Sequence, residues 1–553
     1  MVWSDSPPLF RWCMWTLLVV ASVAAGGPPD LHGSAGGVPS RGGCSYAAPA
    51  QGESGATPGA SAFEIAWQRE GSQEAKQDSD NRRQRDRRQR EGPALLKRAI
   101  EQFAAKDYAG AEQTLLRLVE LDPTSGFIRY NLACCRAAQG DAAGGMERFL
   151  QAVERGFIDR RRFERDPAID LLRELPEFKA LMGNWERVLE RHRDWNVERS
   201  REIAGENAEL VLDDKLRLAY LSSFHATSSA RARQELSLIA EWGFRHVFTE
   251  LPNQSAEQTP WVVVVLPDRA GFNRWVREKY GNLGGGFAAV GGAYDDAEKR
   301  LVARDLGGTL RHEFFHVLHW RDNNRLGIVH PTWVQEGLCS LVEDYELDIA
   351  NDPNAELRPV VSWRTNAVRR AARSNRLIPL ARLTSMDRGA FTVSRPLANY
   401  GQARAVFLFL HERGWLTPWY RTFNETFGQD PTGVLALERV SGKALKELDN
   451  ELRLWGRELA EVPEEIRSGR ASLGLDVDNG DGEGPVIAQI VLGPPARAGL
   501  RRGDVITAID GKPTRDIAEL VRVLGDYEVG TMVVVDYRRG NAEQTAQLEL
   551  VAR

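Results

Sequence analysis

Gly307-Gly308-Thr309-Leu310-Arg311-His312-Glu313-Phe314-Phe315-His316 is followed, twenty residues after His316, by Glu336 within Pro331-Thr332-Trp333-Val334-Gln335-Glu336-Gly337-Leu338. Thr309 is placed to cap a helix that opens at Leu310, behind the break at Gly307 and Gly308. On that helix His312 and His316 are one turn apart, so both imidazoles point the same way and can take two corners of a zinc tetrahedron. Glu313 lies about 100° around the helix from His312. There it can act as general base on a water at the metal without taking a coordination position. Thr332 and Gln335 read as a capping box that starts a second helix. Glu336 in its first turn completes a His-His-Glu set with one position left open, the feature that separates catalytic from structural zinc.

These residues resemble the gluzincin pattern shared by thermolysin-like and aminopeptidase-type metallopeptidases. The nearer likeness is to the peptidase-MA-like group of bacterial proteins, in which a run such as Asn399-Tyr400-Gly401-Gln402-Ala403 also follows the third ligand. The resemblance covers roughly 220–460. It implies a thermolysin-like catalytic domain, Zn2+ on His312, His316 and Glu336, Glu313 as catalytic base, and Tyr400 as hydrogen-bond donor to the oxyanion. Tyr294 and Tyr345 are competing candidates for that donor. Thermolysin-like sites carry an Asp four residues after the third ligand to orient a histidine; here that position is Ser340, so an acceptor such as Glu343 has to replace it. No glycine-methionine-glutamate motif is present to hold a free substrate amine, which favours an endopeptidase over an aminopeptidase. His319, one turn beyond His316, reads as a surface or orienting residue, and Cys339 as core filler.

The C-terminal segment changes to short β runs and glycine turns: Val486–Val491, Val505–Ile509 and Met532–Tyr537 alternate as strands, with a short helix at Ile517–Leu524. Ser472-Leu473-Gly474-Leu475-Asp476, Pro495 to Ile506 and Ile509-Asp510-Gly511-Lys512-Pro513 make it similar to PDZ domains of the HtrA type. That likeness implies that Leu473, Gly474 and Leu475 present backbone amides to a peptide carboxylate while the neighbouring strand edge pairs with the peptide.

Upstream, Asp107 and Asp141 stand 34 residues apart in matching surroundings, with Leu115 and Phe149 at the same step. A helix–turn–helix period of that length resembles a tetratricopeptide pair. Trp261 to Leu266 reads as a buried strand, the stretch around Tyr294-Asp295-Asp296 as a hairpin, and the glycine-rich Gly284 to Gly292 as an open edge able to receive substrate. At the N-terminus Arg11 precedes an apolar run, Trp12 to Ala25, of signal-peptide length. Arg82, Arg83, Arg85, Arg87, Arg88 and Arg90 form a solvated basic run in a low-complexity segment.

The expected organisation is multidomain α+β: signal peptide at 1–26, disordered linker at 27–92, tetratricopeptide-like helices at 93–198, metallopeptidase at 199–466 and PDZ at 467–553. A net charge of -5 over 553 residues argues against a nucleic-acid binder, and five scattered cysteines exclude a disulfide framework. The chain reads as a secreted or periplasmic zinc peptidase acting on peptides or proteins, with membrane contact only if the leader stays as an anchor. The other reading is a peptide-binding scaffold that keeps a vestigial or structural zinc.

Overall fold

A computed structural model describes residues 87–88, 90–249, 259–280, 291–347, 356–480, 482–491 and 493–553. The signal peptide, most of the linker with Arg82, Arg83 and Arg85, and the glycines at 284–286 lie outside the described residues. Among the described residues no helix is long and apolar enough to cross a membrane. The chain divides into two compact units, one ending at Ala180 and the other running from Leu181 to Arg553.

The first unit is helical at 87–88 and from residue 90, earlier than the linker boundary at 92, and Arg87 pairs with Glu91 one turn on at 3.1 Å. A helix over 90–104 packs with α1 (Tyr108–Leu121), and α2 (Gly126–Ala138) with α3 (Ala142–Glu154). The 34-residue step has a physical counterpart at its caps. Asp107 Oδ1 accepts from the amide of Gly110 at 2.9 Å, and Asp141 Oδ1 from that of Gly144 at 2.9 Å. A Cβ on Gly110 or Gly144 would meet the capping carboxylate at 2.1 or 2.2 Å, so a larger residue at either position would have to turn that side chain aside.

In the second unit α4 (Trp185–Ala204) packs on a five-stranded sheet. The sequence reading grouped this helix with the repeats up to 198, yet its Asn196 side chain donates to the carbonyls of Glu298 and Lys299 at 2.8 and 3.1 Å. The strands β1 (Glu209–Asp213), β2 (Leu218–Ser222), β3 (Val262–Leu266), β4 (Gly292–Asp295) and β5 (Arg300–Ala303) run in the order β1-β2-β3-β5-β4. The pairs β2–β3 and β3–β5 are parallel, and the edge strands β1 and β4 are antiparallel. The all-valine centre of β3 is buried on both faces, as a central parallel strand requires. The expected hairpin is β4–β5, and β4 is the outer strand.

Against this sheet lie α5 (Ala226–His246) and α6 (Gly308–Leu326), followed by α7 (Thr332–Leu341), α8 (Trp363–Arg373) and α9 (Pro396–Glu412). Leu310, Phe314, Phe315, Val317 and Leu318 place α6 in the main core with Trp242, Trp333 and Phe407. A helix covered on nearly every side is held rigidly, which suits one that carries ligand candidates.

The C-terminal PDZ region is β-rich. Strands β6 (Leu475–Asp478), β7 (Val486–Ile490), β8 (Val505–Ile509), β9 (Met532–Arg539) and β10 (Ala542–Glu549) form an antiparallel sheet in the order β10-β9-β8-β7-β6, with α10 (Ile517–Gly525) across it. This region is docked against the start of α6. The amide of Leu306 donates to the carbonyl of Gly482 at 3.1 Å, where φ of +102° and a carbonyl 2.2 Å from any added Cβ require glycine. Beside it a buried quartet crosses the junction: Arg311 meets Glu235 at 3.0 Å and Glu519 at 2.8 Å, and Arg515 meets Glu235 at 2.8 Å and Glu519 at 3.1 Å.

Asp516 caps α10 by accepting from the Glu519 amide at 2.7 Å, and its other oxygen would lie 3.3 Å from a Cβ on Gly307. Burial, with the like charges of Glu519 and Asp305, pushes this carboxyl up to about 7. The folded state therefore holds a proton that an unfolded aspartate releases near pH ~4, and this residue's contribution to stability declines as pH rises from ~4 to ~7. Asp516→Asn keeps a capping oxygen and removes the titration. Its stability relative to the parent, read from urea midpoints, is expected to rise between pH 4 and pH 8; a difference independent of pH would contradict this.

Candidate metal centre

Thr309 does not cap α6. The helix begins at Gly308 with Gly307 at the N-cap position, and the Thr309 hydroxyl donates to Asp305 at 2.8 Å. Nor is there a capping box at α7. Pro331 occupies its N-cap position, and Gln335 turns back to donate to the His330 carbonyl at 2.5 Å. Both helices form where the sequence places them, with Gly307 and Pro331 rather than a threonine at the N-cap positions.

The two helices bring His312, His316 and Glu336 together, with one ligating atom of each lying within 4.8 Å of the others. His312 Nε2 is 3.3 Å and His316 Nε2 3.6 Å from Glu336 Oε2, and the two rings are 4.9 Å apart. All three side chains are largely buried. Burial alone would raise the Glu336 carboxyl and lower His312, but their mutual contacts win. Glu336 is held well below the usual carboxylate range, and His312 is pushed up to about 10 by Glu336 and Glu343. Two imidazoles and a carboxylate, all largely buried, form a donor set that fits a divalent ion with N/O preference.

Glu343 orients His312. Its Oε1 accepts from Nδ1 at 2.8 Å, leaving Nε2 turned toward Glu336. The chain leaves α7 at Val342, so Glu343 lies just past the helix end; the Ser340 hydroxyl is buried with no partner among the described residues. Glu343 is itself gripped by Arg364, whose Nε and Nη2 reach its two oxygens at 2.6 and 3.1 Å. Arg311 Nε also donates to the Glu343 carbonyl at 3.0 Å. Neither arginine was identified from sequence. Arg364 lies outside every motif, and Arg311, though next to His312, is one of several polar residues on α6 and carries no sequence signal of its own.

Glu313 Oε2 accepts from the Tyr294 amide of β4 at 2.9 Å, so this carboxylate sits against the edge strand; burial raises its pKa. Among the tyrosines, Tyr294 donates to Asp296 at 2.9 Å and Tyr345 to Glu235, so both hydroxyls are engaged. The described residues offer the Tyr400 hydroxyl no hydrogen-bond partner. Burial, Glu336 and Glu313 raise its pKa well above that of a free tyrosine, and the Arg364 guanidinium lies 5.7 Å from its ring centroid. His319 is neither at the surface nor an orienting group: it is buried and bonded to His330 at 2.7 Å, which continues to Asn424 at 2.9 Å. Cys339 is buried, and burial raises its thiol pKa well above the usual value.

In the PDZ region Leu473 and Leu475 are buried around Gly474, whose φ is +72° and whose amide donates to Ser472 Oγ at 3.0 Å. Leu475 opens β6, the outer strand of the sheet.

Residues 471–550 match the PDZ domain family. HhoA of Synechocystis sp., named as a serine protease, is 40% identical over 72 residues, 12% of this chain and 18% of HhoA. The solved HtrA-type protease AlgW with decapeptide is 24% identical, over 20% of this chain and 34% of that one, with a TM-score of 0.14. An aminopeptidase N family protein from Idiomarina loihiensis is 14% identical, over 61% of this chain and 65% of that one, with a TM-score of 0.25. The chain spans about a fifth of the length of HhoA and about a third of AlgW.

The position of Glu336 relative to Tyr400 depends on the crossing of α7 and α9. A Cβ at Gly337 would meet the Phe407 ring at 2.6 Å and the Ala403 backbone at 3.0 Å, so this crossing requires glycine. Gly337→Ala is expected to destabilise the protein by ~1–3 kcal/mol through overpacking. Denaturant unfolding checks this, and an unchanged midpoint would mean that the crossing is less tight than described.

Proposed function

We propose that this protein is a zinc-dependent peptidase of the gluzincin type, acting as an endopeptidase on peptides or proteins outside the cytoplasm. The observation that carries the reading is the meeting of the largely buried His312, His316 and Glu336, with the Glu313 carboxylate held nearby on the Tyr294 amide of the outer strand β4. Those three residues would hold the ion and leave a position free. Zinc bound there supplies Lewis-acid polarisation of a carbonyl and acidifies a coordinated water.

The remaining work belongs to the chain. Glu313 takes the proton of the attacking water and returns it to the departing amine, and its burial-raised pKa matches that task better than an exposed glutamate would. Glu343 holds the His312 ring in one tautomer, and Tyr400 remains a neutral donor for the charge that develops on the carbonyl oxygen. The outer side of β4, which no described strand pairs and where Glu313 takes the Tyr294 amide, receives substrate along its remaining backbone groups as an added antiparallel strand, which reads main chain more than side chain and favours loose sequence preference. Leu473, Gly474 and Leu475 at the head of β6 bind a peptide terminus, and the 34-residue helix hairpins act as a tetratricopeptide-like adaptor for a protein partner.

About one zinc per chain is expected. His316→Ala should lose most of it, whereas Glu313→Gln should retain it and lose about 10²–10⁴-fold in turnover of a peptide library. Metal analysis beside the cleavage assay checks both. Release of zinc by Glu313→Gln as complete as by His316→Ala would overturn the assignment of roles.

A further inference from the structure

We infer that the PDZ domain completes the support of the candidate metal site, with Glu519 acting as a positioning residue for His312 through Arg311. The path is short. Glu519 Oε1 holds Arg311 Nη2 at 2.8 Å; Arg311 Nε holds the Glu343 carbonyl at 3.0 Å; and Glu343 Oε1 holds His312 Nδ1 at 2.8 Å. Arg311 is 2% exposed, Glu519 3% and Glu235 4%, so water does not screen the charges that join the two regions.

Arg311 is also the residue immediately before His312 on α6, so moving its side chain acts on the same helical turn. The quartet is matched across the junction. Arg311 with Glu235 is neutral on one side, and Arg515 with Glu519 is neutral on the other, so each side supplies a cation for the opposite anion. Without Glu519, the Arg311 guanidinium keeps Glu235 and the Glu343 carbonyl but loses one of its two buried carboxylate partners. The Leu306–Gly482 hydrogen bond pins the same docking at the entry to α6. Glu519 sits on α10, whose Leu520 and Leu524 share an apolar cluster with Leu473 and Leu475, so the helix that braces the histidines also supports the peptide loop.

This inference rests on the metal reading above, and the test separates the two. The zinc dissociation constant of the full chain is measured by chelator competition for the parent, Glu519→Gln, the milder Glu519→Asp, and Lys512→Ala as a control on the exposed face of the same domain. Hydrogen exchange of the α6 amides is followed in parallel. Loss of an orienting contact is expected to weaken zinc binding by ~10–100-fold in Glu519→Gln and by less in Glu519→Asp, with faster exchange along 308–326 and no change in Lys512→Ala. A parent chain that holds no zinc overturns the metal reading and this inference with it. A parent that holds zinc, beside Glu519→Asp with affinity and exchange unchanged, overturns this inference alone; the same comparison decides if Glu519→Gln does not fold.

Discussion

The Glu343 carboxylate lies between His312 Nδ1, 2.8 Å from one oxygen, and the Arg364 guanidinium, whose Nε is 2.6 Å from the other. Burial alone would protonate it, but Arg364 and His312 hold it ionised, well below the usual range. An imidazole with a carboxylate on Nδ1 is a stronger donor at Nε2 and cannot rotate away. The position of Nε2 beside Glu336 therefore depends on Glu343, Glu343 depends on Arg364, and the backbone of Glu343 depends on Arg311. The geometry of the candidate metal centre is set by charges that are not themselves candidate ligands.

Such charges are stable only together. Removing one partner of a buried pair typically costs ~3–5 kcal/mol because the other charge stays behind without compensation. In this protein the ions form connected sets: Glu343 with Arg364 and His312, and Arg311 with Glu235, Glu519 and Arg515. The apolar faces of α6, α7 and α9 bring the helices together, and the ionic sets fix their rotation. Phe314, Phe315, Trp333 and Phe407 would tolerate small slides of one helix over another; a bidentate arginine on a carboxylate tolerates far less.

What the sequence made legible follows from how local each signal is. The ligand candidates were readable because i, i+4 spacing on a helix converts directly into a shared face, and Glu343 was identifiable because Ser340 left a role unfilled. The β4–β5 hairpin, the buried β3 run and the PDZ strands also follow from period and turn chemistry, with Asp510 and Gly511 at φ of 48° and 73° turning the chain after β8. Helix caps misled. Thr309 and Thr332 are good capping residues by type, yet Gly307 and Pro331 occupy the N-cap positions, which leaves both hydroxyls one or two positions too far along. Arg364 and Glu519 were invisible for a different reason: they lie 21 and 208 positions from the groups they hold, Glu343 and Arg311, and no periodicity relates residues so separated. That α4 belongs to the second unit was missed likewise, since an amphipathic helix does not reveal which neighbour covers it.

The central claim, that His312, His316 and Glu336 form a metal site built on nitrogen and oxygen donors, is tested most directly by X-ray absorption at the zinc edge of the loaded full-length chain. The account predicts a first shell of nitrogen and oxygen at ~2.0–2.1 Å with the outer-shell scattering of about two imidazoles and no sulfur. A sulfur shell at ~2.3 Å, which would bring in Cys339, or a shell lacking imidazole scattering would contradict it.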